Sequence, residues 1–165
     1  IMGLTLDLTS AKNYAFRLIK FRARSEKEVR DKLLKKEYPP EIIADTIACL
    51  KKTKQVDDRL FAKLWVDSRI KRSLGIARLR HELRNKGIDK NIIEEALSEA
   101  GKNYSEEAVI RKVIEHKLMN LTRLSADKKL SRLYGYLARR GYPKGTVVEL
   151  LFEYIKPDEA QDTGS

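Results

Sequence analysis

The sequence predicts an all-α chain of nine helices, arranged as three tandem three-helix repeats in an elongated, curved array. Three observations carry this. Helix formers dominate throughout, with only 8 Gly and 4 Pro in 165 residues. Apolar residues recur at helical spacing. One pattern, about fifty residues long, occurs three times.

The first copy runs SEKEVRDKLLKKEYPPEIIADTI from Ser25, the second GIARLRHELRNKGIDKNIIEEAL from Gly75, and the third KLSRLYGYLARRGYPKGTVVELL from Lys129. Each opens on two apolar residues four apart, on one helical face: Val29 and Leu33, Leu79 and Leu83, Leu133 and Leu137. A polar stretch then reaches Tyr38, Ile88 or Tyr142. A second helical period follows, carried by Ile42, Ile43 and Ile47, by Ile92, Ile93 and Leu97, and by Val147 and Leu151 with Thr146 and Leu150 filling in. This pattern means helix, tight turn, helix.

Turn and cap chemistry agrees. Gly87 and Gly141 occupy the same place in their copies, where a helix ends and a left-handed residue is wanted, whereas the first copy departs with Glu37. Pro39 and Pro40, Asp89, and Pro143 open the second helix of each pair. Ser25 with Glu28 forms a capping box, in which hydroxyl and carboxylate satisfy each other's backbone donors. An amphipathic lead helix precedes each pair, with Tyr14, Leu18 and Phe21 in the first, Leu60 and Leu64 with Phe61 and Trp65 in the second, and Val109 and Val113 with Ile110 and Ile114 in the third. A third helix closes a small core that two cannot, and copies this short must lean on one another, hence the curved array. The predicted organisation is an N-terminal tail over 1–10, repeats over 11–56, 57–103 and 104–156, and a polar, acidic, disordered tail over 157–165.

Composition bounds the function. Lys and Arg number 35 against 24 Asp and Glu, a formal +11, so the natural partner is polyanionic: nucleic acid, an acidic membrane face or an acidic protein groove. A lone cysteine, Cys49, rules out an internal disulfide and fits a reducing compartment, where it serves as a small hydrophobe. No apolar run approaches the roughly 18 to 20 residues of a membrane span, and Ile1–Ser10 lacks the features of a signal peptide. A cytoplasmic monomer with no membrane partner is expected.

Catalytic chemistry is thinly provided. His81 and His116 are the only histidines, and each reads as a surface residue without a ligand partner. No Gly-rich phosphate loop or metal-spaced carboxylate cluster is present, so no catalytic residue, metal or cofactor is expected. Asp57 and Asp58 look like a paired carboxylate, but they stand just before an apolar helical period, where carboxylates cap free N–H groups. A partner contact, or an inter-repeat salt bridge with Arg59 or Arg69, is the alternative.

Basic residues are the informative ones, because they recur with the repeat. Arg24 and Arg30 belong to the first copy, Arg69, Arg72, Arg78, Arg80, Arg84 and Lys86 to the second, and Arg139 and Arg140 to the third; these are the candidate contacts to a partner or nucleic acid. Arg80 and Arg84 are one turn apart and offset from Leu79 and Leu83, so they are predicted to point outward together. Lys36, Lys86 and Arg140 share one aligned position, which stabilisation of a helix C-terminus by about 0.3–1 kcal/mol explains without any partner. Acidic residues concentrate at Glu94, Glu95, Glu99, Glu106 and Glu107, so one face is predicted to be strongly positive.

The motifs RSEKEVRDKL from Arg24, VDDRLFA from Val56, the arginine Arg69, GIARLRHELRNKGI from Gly75 and LARRGY from Leu137, in this order and spacing, resemble those of the RecX family, regulators of the RecA recombinase. The resemblance covers Ala11 to Tyr154. It implies a non-enzymatic inhibitor acting in recombination, DNA repair and the SOS response. Such a protein binds the RecA nucleoprotein filament on single-stranded DNA, with direct DNA contact, and blocks extension or promotes disassembly, so that RecA's ATP hydrolysis, strand exchange and coprotease activity fall. By the same resemblance Asp57, Asp58 and Phe61 match the central motif, and Arg78, Leu79, Glu82, Leu83, Lys86, Gly87 and Ile88 the second-repeat motif. Phe61, Leu79, Leu83, Gly87 and Gly141 read as structural positions from their spacing. An autonomous DNA-binding helical module without a RecA role is the competing reading.

Overall fold

The computed structural model describes residues 7–156. Among them are nine α-helices and no strand: α1 (Leu8–Phe21), α2 (Glu26–Leu34), α3 (Pro40–Lys52), α4 (Asp58–Ile70), α5 (Ile76–Asn85), α6 (Lys90–Gly101), α7 (Glu106–Leu118), α8 (Ala126–Arg139) and α9 (Lys144–Tyr154). The fold is all-α, in three sets of three. The tail expected over 1–10 is shorter at its inner edge, because Asp7 caps α1, its Oδ1 accepting from the Ser10 amide at 2.7 Å. The tail expected over 157–165 lies outside the described residues.

The chain divides into two compact units, one made of the residues up to Asp67 with Arg80–Glu99, the other of Ser68–Leu79 with the residues from Ala100 onward. The second repeat is therefore shared between them.

In the first unit, Val29 and Leu33 of α2 meet Ile43, Ile47 and Leu50 of α3 and Ala11 and Ala15 of α1 in one buried cluster. Each buried Val, Leu or Ile contributes about 1.5–3 kcal/mol. The lead helices differ from expectation in phase. Phe21 is 87% exposed, and the buried face of α1 carries Ala11 and Ala15, whose small side chains let the helix approach closely. Leu60 and Leu64 stand half exposed on α4, while Phe61, Ala62 and Val66 are buried. In the second unit, Ile110 and Ile114 of α7 pack with Leu133 and Leu137 of α8 and Val147, Leu150 and Leu151 of α9.

The turns obey one rule. Gly87 (φ 75°) and Gly141 (φ 84°) adopt the left-handed conformation, and Glu37 adopts it too (φ 62°). The first copy keeps the turn geometry although it lacks the glycine, at a cost of roughly 1–2 kcal/mol for the left-handed non-glycine residue.

Candidate partner and nucleic-acid interface

In the first unit the start of α2 is a junction. The Ser25 hydroxyl accepts from the Glu28 amide at 3.2 Å, completing the capping box, and donates to the Lys86 carbonyl at 2.7 Å. Ser25 is fully buried, so that hydroxyl supplies the Lys86 carbonyl with a partner. Asp58 reaches the same helix end, accepting from the Glu26 amide at 2.8 Å. Glu28 holds Lys86 at 2.5 Å and Arg22 at 2.9 Å. Burial pushes the Glu28 carboxyl upward, but its bonds to Arg22 and Lys86 outweigh that and leave it near 2. Burial also raises Asp58, and the Glu26 amide only partly offsets it. Asp57 instead caps its own helix, accepting from Arg59 and Leu60 amides at 2.9 and 3.0 Å. The two adjacent aspartates thus cap two different helices.

A second junction lies in the other unit. The Gly75 amide donates to the Arg140 carbonyl at 2.8 Å, and a Cβ on Gly75 would fall 2.3 Å from the Gly141 carbonyl oxygen. Only glycine fits there. Arg140 returns its guanidinium to the Arg72 and Ser73 carbonyls at 2.5 and 3.1 Å, and Arg78 donates to the Arg139 carbonyl at 2.9 Å. Glu106 caps the start of α5, accepting from the Ile76 amide at 2.7 Å.

The predicted contact residues divide accordingly. Arg24 donates to the Leu18 carbonyl at 3.1 Å, and Arg30 pairs with Glu26 at 2.9 Å. Arg80 forms a two-pronged surface bond to Glu94 at 2.7 and 2.9 Å, which holds that carboxyl below its usual range, and Arg84 lies near the same carboxylate without bonding it. Arg69 is half-buried and has a partner within the protein. Arg72, Arg84 and Arg139 are exposed and form no ion pair with a described residue. The acidic run is likewise consumed locally, since Glu94 takes Arg80, Glu95 takes Arg59, and Glu107 takes Arg111. His81 is exposed beside Asn85 at 3.1 Å, and no group of three His, Cys, Asp or Glu among the described residues could hold a metal ion.

Lys36, Lys86 and Arg140 have a role that spacing concealed. Each lies over an aromatic ring: Lys36 over Tyr14 at 5.9 Å, Lys86 over Trp65 at 5.0 Å, and Arg140 over Tyr136 at 4.7 Å. At these distances the ring face attracts the cation. Trp65 is itself fixed, stacked on Phe61 and donating to Glu82 at 3.0 Å. Sequence reasoning also missed Lys117 and Tyr136 of the third repeat; the signal for them was Gly135, a glycine in the interior of a helix.

Residues 11–50 match the family description "RecX, first three-helix domain", and residues 57–97 match "RecX, second three-helix domain". "Regulatory protein RecX" of Amycolatopsis mediterranei is 34% identical over 154 residues, covering 93% of this chain and 87% of its own length. The chain belongs to the RecX family. The like-named protein of Clostridium acetobutylicum is 36% identical over 148 residues, covering 87% of this chain and 68% of its own. A crystal structure of RecX from Lactobacillus salivarius has the same fold, with a TM-score of 0.75 over 91% of this chain and 97% of that one, at 23% identity. The motifs that carry the RecX resemblance are largely the two junctions: RSEKEVRDKL, VDDRLFA and the end of GIARLRHELRNKGI meet at Ser25, Asp58 and Lys86, and the start of that run meets LARRGY at Gly75 and Arg140. No helix among the described residues is long and apolar enough to cross a membrane.

Proposed function

We propose that this chain is a non-enzymatic regulator of the RecA recombinase, binding RecA filaments on single-stranded DNA in the cytoplasm and lowering RecA activity by blocking extension or promoting disassembly. The observation that carries this reading is kinship along 93% of the chain with a protein named for regulation, joined to a formal charge of +11. A helical nucleoprotein filament offers phosphate and acidic protein surface, the complement of such a charge. The exposed Arg72, Arg84 and Arg139 are the contacts this reading favours, because meeting a phosphate breaks no internal ion pair. Arg24, Arg30, Arg69, Arg78, Arg80, Lys86 and Arg140 would have to give up or share a bond already made. Their first role in this reading is to fix the geometry of the repeats.

The rival reading is an autonomous nucleic-acid-binding module. Co-sedimentation separates the two: a filament regulator is retained on RecA–single-stranded DNA filaments at salt concentrations that strip it from the bare strand. Equal retention on both, with the same steep salt dependence, would favour the rival.

A further inference from the structure

We propose that a cleft in the third repeat, where the end of α7 faces α8, takes a phosphate of a nucleic-acid backbone. The open cleft, of about 490 Å³, is lined by Lys117, Arg132 and Arg139 together with Asn120, Ser131 and Tyr136, and no acidic residue is among its lining. Its three cations therefore meet no carboxylate within the cleft. Several cations elsewhere are matched locally, Arg80 by Glu94, Lys86 by Glu28, and Arg111 by Glu107 and Glu153. Arg132 and Arg139 are exposed and form no ion pair with a described residue. Three like charges around one concavity repel one another, and an anion seated among them turns that repulsion into attraction.

Two further features show the cleft to be built. Lys117 Nζ stands 4.1 Å over the Tyr136 ring, which also faces the Arg140 guanidinium at 4.7 Å, so the ring face holds Lys117 at the cleft instead of leaving it to wander in solvent. Gly135 sits within the fourteen-residue helix α8, a position where glycine is the worst helix former save proline. A Cβ there would stand 3.1 Å from Arg139 Nη1. The guanidinium thus lies close over the bare glycine, where a Cβ would make it shift by a few tenths of an ångström.

The ligand chemistry follows from the donors. Arg132 and Arg139 present planar forks suited to two oxygens of one anion, Lys117 a point charge, and Asn120 and Ser131 neutral donors. A phosphodiester supplies acceptor oxygens only, one charge per residue, on a chain able to run through an open cleft. The proposal rests on the reading above only in the direct nucleic-acid contact.

The test uses the full chain and a fluorescently labelled single-stranded oligonucleotide, with anisotropy followed across a salt series and circular dichroism to show that the helices remain. For the double variant R132Q/R139Q, affinity should fall at least tenfold at low salt, and the log–log salt slope should flatten by about 1.4, about 0.7 for each cation removed. The control K32Q/K35Q, on α2 and the turn after it, should lose far less. Equal loss in control and cleft variants, or no loss in the cleft variant, would overturn the proposal. RecA is absent from this assay, so a cleft variant that binds like the unaltered protein sinks the cleft alone, even where the unaltered protein inhibits RecA.

Discussion

Lys86 Nζ lies 2.5 Å from Glu28 Oε1 while the Lys86 carbonyl accepts the Ser25 hydroxyl at 2.7 Å, so one residue at the end of the second repeat's middle helix holds both partners of the first repeat's capping box. The capping box is thus a tertiary joint as well as a local one. Its carboxylate works from three sides: on the Ser25 amide at 3.3 Å, on Arg22 and on Lys86.

A pH dependence follows. Glu28 is held near 2 in the folded protein, below its ordinary 4.5. A depressed carboxyl contributes stability that is present above the unfolded value and is lost as pH falls through the folded one. That loss should therefore run from about pH 5 down to about pH 2, and amount to about 2–3 kcal/mol once solvent screening of the pair is allowed for. Asp58, raised by burial, acts in the opposite sense and offsets part of it. Urea titrations across this range should show stability falling with acid in the unaltered protein, and a flatter profile in Glu28→Gln. Parallel profiles would mean that the carboxylate is not held in this way.

The shared left-handed turn makes an asymmetric prediction about glycine. Glu37→Gly should stabilise the protein by about 1 kcal/mol, by removing the Cβ penalty at φ 62°. Gly141→Ala should destabilise it by more than about 3 kcal/mol, because the new Cβ would meet the Arg78 backbone nitrogen at 2.7 Å as well as a left-handed φ of 84°. Thermal unfolding of both variants checks the pair; the same sign in both would contradict the equivalence of the turns.

Arg80 and Arg84 should separate on reversal of charge. Arg80→Glu places a carboxylate against Glu94, losing a two-pronged bond, and should cost about 1–2 kcal/mol of stability. Arg84 is exposed without an ion pair to a described residue, so Arg84→Glu should change stability by less than about 0.5 kcal/mol and show its effect in filament binding. If Arg84→Glu unfolded the protein while Arg80→Glu did not, the internal role would belong to the wrong arginine.

The architecture was legible because it is written in large aliphatic residues at fixed spacing. Val29 and Leu33, Leu79 and Leu83, and Leu133 and Leu137 are all buried as their period predicts. Caps were legible too, since Ser25, Asp57 and Asp89 each bond the helix they precede. The phase of the lead helices was not, because Ala11 and Ala15 bury little area each and the larger Phe21, Leu60 and Leu64 imitate an apolar face. The state of the arginines was least legible. Arg80 and Arg84 share a helix and a spacing, and what distinguishes them is Glu94 arriving from another helix, a tertiary fact that no one-dimensional period contains.

RecA's ATP hydrolysis on single-stranded DNA, measured as this protein is added from well below to well above the RecA concentration, tests the central claim most directly. The reading as a filament regulator predicts that hydrolysis falls at sub-stoichiometric protein, and that Arg84→Glu weakens the fall while keeping its helical circular dichroism. Undiminished hydrolysis with the unaltered protein in excess would contradict it.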